Sequence, residues 1–121
     1  MQVYDKFYIG GKWVAPKGKD KLEVIDPSTE EVCGVVPSGN AEDVNAAVKA
    51  AAEGPMQGVL QYSEEPLVST DIIGSPYSSI FDSKLTGKIG EKMFKLISWY
   101  DNEYGYSTRC VDLFKRLAAE G

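Results

Sequence analysis

The sequence contains no histidine. Histidine is the commonest general base at neutral pH and the commonest metal ligand, so Ser-His-Asp and Cys-His catalysis and most zinc chemistry are excluded. Cysteine is nearly as scarce: Cys33 and Cys110 are too few and too far apart for a metal site. No apolar run approaches the roughly 18–20 residues that span a bilayer, and no signal-peptide pattern opens the chain. A reducing, cytoplasmic setting is therefore expected, although the sequence leaves a Cys33–Cys110 disulfide open. Positive charge is not in excess either. Residues 1–52 carry six basic and eight acidic side chains and residues 53–121 carry seven and ten, for a formal net charge of -5. Neither half has the basic patch that nucleic acid requires. Nucleic acid, membrane and metal are all excluded as expected partners.

What is present suits one small domain. The 121 residues are 43% hydrophobic and 26% charged, ordinary values for a globular chain. Phe7-Tyr8-Ile9 and Lys12-Trp13-Val14 flank Gly10-Gly11, a two-residue hairpin signal, because glycine supplies the positive φ such turns require. Leu22 to Ile25 and Val32 to Val36 read as strands around the turn residues Asp26-Pro27-Ser28-Thr29. A helix follows over 41–53. Asn40 is its N-cap, Glu42 and Asp43 sit in the first turn, and Val44, Ala47, Val48 and Ala51 make one buried face. Gly54-Pro55 ends it, the glycine as a left-handed cap. Further strands are expected at 58–62, 79–81 and 94–100, and a closing helix at 107–119 capped by Ser107. Cys110, Leu113, Phe114 and Leu117 give that helix one apolar stripe. The expected fold is an α+β single domain: a mixed sheet of short strands, an N-terminal hairpin and two packed helices.

Two resemblances overlay this pattern. FYIGGKWV, EVIDPSTEEVCGVVPSG and AEDVNAAVKAA, covering residues 7–51, resemble the N-terminal segment of the aldehyde dehydrogenase superfamily. There the segment is scaffold, without catalytic cysteine, glutamate base or phosphate site. AAEGPMQGVLQYSEEPLVSTDIIGSPYSSIFDS and MFKLISWYDNEYGYSTRCVDLFKRLA, covering 51–118, are similar to the C-terminal part of the glyceraldehyde-3-phosphate dehydrogenase catalytic domain. The chain thus resembles a chimera of an aldehyde-dehydrogenase-like part, 1–50, and a glyceraldehyde-3-phosphate-dehydrogenase-like part, 51–121. The two join within the helix at 41–54, which both families write in nearly the same letters. Local helix grammar survives such a join.

The second resemblance implies that the family's nucleophilic cysteine, activating histidine, phosphate-binding groups and Gly-rich cofactor loop all lie outside the retained segment. Cys33 reads as strand packing and Cys110 as a small hydrophobe on the apolar stripe. No nucleophile–base pair can be assembled. Two positions do carry over by resemblance: Asn102 matches an asparagine that holds the nicotinamide carboxamide, and Tyr106 matches a tyrosine packed near the same ring. An amide offers both donor and acceptor to the ligand's own amide. The alternative for Asn102 is local backbone bonding in a strand-to-helix turn. No Gly-x-Gly-x-x-Gly loop meets the phosphates, so no cofactor is expected, with NAD the one candidate. Tyr62, Trp99, Tyr100, Tyr104 and Tyr106 read as core and sheet packing. The segment 105–108 at a helix start has free amides for an anion, opposed by Asp101 and Glu103.

The expected function is therefore a catalytically silent chimeric domain, structural or self-associating. The alternative is an NAD-linked aldehyde or glyceraldehyde-3-phosphate oxidoreductase, or a subunit completed by another chain. Sheet surface that lost its neighbours makes self-association the expected partnership.

Overall fold

A computed structural model describes residues 2–91 and 93–121. Among the described residues, ten short strands distribute over two three-stranded sheets and two hairpins, with two helices between and beside them. In the first sheet, β5 (Val32–Pro37) is central, parallel to β1 (Gln2–Val3) and antiparallel to β4 (Lys21–Ile25). In the second, β7 (Ser79–Asp82) is central, parallel to β6 (Leu60–Ser63) and antiparallel to β10 (Ser98–Trp99). Both sheets are mixed, as the α+β reading requires. The hairpin of β2 (Phe7–Ile9) and β3 (Lys12–Val14) turns at Gly10 and Gly11, whose φ values of 57° and 78° are the left-handed pair expected there. A second hairpin joins β8 (Gly87–Ile89) to β9 (Met93–Lys95).

The turn after β4 is built by one side chain. Asp26 Oδ1 accepts from Ser28 N at 2.8 Å and from Ser28 Oγ at 2.7 Å. These bonds, the hydroxyl's first, hold the Asp26 carboxyl below its usual value.

Helix α1 (Ala41–Glu53) starts with a complete capping box. Asn40 Oδ1 accepts from Asp43 N at 2.9 Å, and Asp43 Oδ2 accepts from Asn40 N at 3.1 Å. The buried Asp43 carboxylate also accepts from Lys17 N at 2.7 Å, which ties the early loop to the helix. From its other flank Asn45 Nδ2 donates to Ser83 O at 3.0 Å and Asn45 Oδ1 accepts from Thr86 Oγ1 at 2.7 Å. Lys49 lies 5.3 Å from the centre of the Tyr62 ring. Helix α1 therefore makes polar bonds to both halves of the chain. Gly54 ends it with φ −121°, outside the left-handed region expected for it.

Among the described residues four apolar side chains are buried: Ala52, Ile72, Ile80 and Phe81. The centre of β7 is thus the centre of the core. Phe81 stacks on Tyr62 of the parallel neighbour β6, ring centres 5.9 Å apart. Asp82, 2% exposed, ends the strand; its Oδ2 accepts from Trp99 Nε1 at 3.1 Å and its Oδ1 from Lys84 N at 3.2 Å.

Several expectations shift in detail. The run at 94–100 is broken into β9 and β10, which serve different partners: β9 pairs with β8, whereas β10 pairs with β7, and Ile97 O extends that pairing by accepting from Asp82 N at 3.0 Å. Helix α2 spans Tyr104–Glu120, starting three residues before the expected 107. Ser107 lies inside its first turn, where its Oγ donates to Glu103 O at 2.8 Å, so it caps nothing. Tyr62 and Trp99 pack as expected, but Tyr100, Tyr104 and Tyr106 are exposed and lie outside the core. Cys33 is also exposed on β5, where its Sγ donates to Val24 O at 3.3 Å. Both cysteines are free.

Candidate functional site

The two positions singled out by resemblance meet in one place. Asn102 stands in the turn between β10 and α2, and Tyr106 stands in the first turns of α2. With Ser78, Tyr100, Asp101, Gly105 and Arg109 they line an open cleft of about 330 Å³.

Asp101 builds this corner. Its Oδ1 accepts from Glu103 N at 2.9 Å and Tyr104 N at 2.8 Å, and its Oδ2 accepts from Gly74 N at 2.9 Å. One carboxylate thus caps α2 and pins the 73–75 loop against it. The amide bonds, Tyr104 first, then Gly74 and Glu103, hold the Asp101 carboxyl below its ordinary value. The same bonds consume the donors that an anion at this helix start needs. Gly105 N and Ser107 N donate to Asp101 O and Glu103 O, so the anion reading of 105–108 finds no free cradle. Gly105 is buried because a side chain does not fit: a Cβ there lies 2.8 Å from Tyr77 O.

A depressed carboxyl contributes stability above the unfolded value, and that contribution is lost as pH falls through the folded one. Asp101→Asn is therefore expected to lower the melting midpoint at pH 7. The deficit should shrink as pH falls below the ordinary carboxylate range and through the depressed value of Asp101, where its carboxyl becomes as uncharged as the amide. A deficit that stays constant from neutral to acid pH contradicts this role.

The remaining lining explains what the cleft can bind. Among the described residues, no side-chain hydrogen bond holds the Asn102 amide, and Asn102 is exposed. Tyr106 is exposed too, and the Cys110 thiol one turn on raises its phenol, by hydrogen bonding first and charge second. Arg109 is a lining residue that the sequence reading missed; its spacing of three from Tyr106 on one helix was the available signal. Its charge is already engaged: Nη2 lies 2.8 Å from Asp112 Oδ2 and Nη1 donates to Gly58 O at 3.2 Å. Nε is buried without a hydrogen-bond partner among the described residues.

These residues fit one end of a dinucleotide and not the whole. Asn102 offers an exposed amide and Tyr106 an exposed ring, but the sequence has no Gly-rich turn for the phosphates and the described residues that line the cleft include no uncommitted cation. A larger cleft lies elsewhere, about 720 Å³ lined by Glu64, Glu65 and Asp71 among others, and these acids oppose phosphate as well. Among the described residues no group of His, Cys, Asp and Glu can hold a metal ion. No helix among the described residues is long and apolar enough to cross a membrane.

An α+β domain with this strand–turn–helix corner is similar in sequence to dehydrogenases. It is 54% identical over 76 residues to glyceraldehyde-3-phosphate dehydrogenase of Thermotoga maritima, 63% of this chain and 23% of that protein. The figures are 59% over 80 residues, 66% and 24%, for the enzyme of Geobacillus stearothermophilus. For glyceraldehyde-3-phosphate dehydrogenase 1 of Schizosaccharomyces pombe they are 54% over 81 residues, 67% and 24%. The chain belongs to the family of the glyceraldehyde 3-phosphate dehydrogenase C-terminal domain, whose sequence model matches residues 25–102, more than half of its length. It spans about a quarter of the length of these relatives. The family match begins well before residue 51, inside the segment that the sequence reading assigned to an aldehyde-dehydrogenase-like head, so the tail's family reaches further back than that reading placed it.

Proposed function

We propose that this chain is a catalytically silent domain built on a fragment of an NAD-dependent oxidoreductase, with a structural or self-associating role. The observation that carries this reading is the state of the Asn102–Tyr106 cleft. It keeps an amide and a ring that suit a nicotinamide, while no nucleophile–base pair faces them and the nearest cation is committed to Asp112. Orientation contacts of this kind supply little affinity without the phosphate and adenosine contacts that dominate dinucleotide binding. No metal takes part, nucleic acid and membrane are not partners, and the setting is cytoplasmic.

The chimeric origin is part of the proposal. The hairpin of β2 and β3, the Asp26 turn and β5 follow the order of the aldehyde-dehydrogenase-like head, while residues from 51 onward follow the second family. Helix α1 has a role in both readings, since its capping box bonds the head's loop and its Asn45 bonds the tail. The family match from residue 25 overlaps this head, and the join at 41–54 is the narrower claim.

A second reading has one observation in its favour: Asn102 and Tyr106 do share a cleft. On that reading the chain is a subunit of an NAD-linked glyceraldehyde-3-phosphate oxidoreductase completed by another chain. Turnover separates the two. The chain alone, mixed with NAD and glyceraldehyde-3-phosphate, is expected to give no absorbance change at 340 nm, roughly the region of the reduced nicotinamide. A rate that disappears in Cys33→Ser or Cys110→Ser overturns catalytic silence.

A further inference from the structure

We draw no further inference here: the strongest candidate, the apolar groove of about 470 Å³ between the β2–β3 hairpin and α1 that Ile9, Val14, Ala47, Ala50 and Pro55 help to line, is an unpartnered face, and nothing in the structure shows what covers it.

Discussion

Phe81→Ala is expected to cost about 3–5 kcal/mol of folding stability. The ring is 4% exposed, sits at the centre of β7, and has β6 and β10 on either side. Truncation removes its transfer energy, leaves a cavity and ends the stacking on Tyr62. Domains of this size are stable by roughly 5–15 kcal/mol in total. With only four apolar side chains buried among the described residues, the remaining core has little to offset the loss. Urea titration by circular dichroism should show a midpoint shifted far to lower denaturant, or no folded baseline at all. A loss under about 1 kcal/mol means that the core does not centre on β7.

Asp82→Ala is the second large effect, at about 2–3 kcal/mol. Its carboxylate is almost fully buried and serves two donors, the Trp99 indole and the Lys84 amide. Removing it leaves the part-buried indole and amide donors without their acceptor and loosens the junction between β7 and β10. The two carboxylate partners can be separated by a double-mutant cycle with Trp99→Phe. If Asp82→Ala and Trp99→Phe act independently, their losses add; the 3.1 Å bond predicts that the second substitution costs much less once the first is present. Additive losses mean that the indole bond carries none of the effect.

Both effects arise from the part of the fold that was least legible in the sequence. The hairpin at Gly10-Gly11 and helix α1 could be read directly, because their determinants are local: a pair of positive-φ glycines, and an N-cap whose partner is three residues away. The corner at Asp101 was misread for the converse reason. Ser107 satisfies the local pattern of a cap, but the actual cap also holds Gly74, twenty-seven residues upstream, and no local pattern encodes that. The division into two sheets was equally hidden. Parallel pairings such as Gln2 with Gly34 and Leu60 with Ser79 are set by tertiary packing.

The candidate site divides along the same line. Asn102 and Tyr106 were found by resemblance, and the turn at 101–103 does bring them to one cleft. Arg109 was missed because its role depends on Gly58, half a chain away. The stripe on α2 was visible as a period and was read as a packing face; the fold leaves it open to solvent. Periodicity reports that a face is apolar, and only the rest of the molecule decides what covers it.

The most direct test of the account is a two-dimensional amide NMR spectrum of labelled protein, recorded without NAD and then with it at about millimolar concentration, well above the dissociation constants of functional sites. A folded, catalytically silent domain predicts a dispersed spectrum that does not respond. Saturable shifts clustered on Asn102, Tyr106 and the turn between them, abolished by Asn102→Ala, would show that the cleft still binds the cofactor and contradict the proposed function.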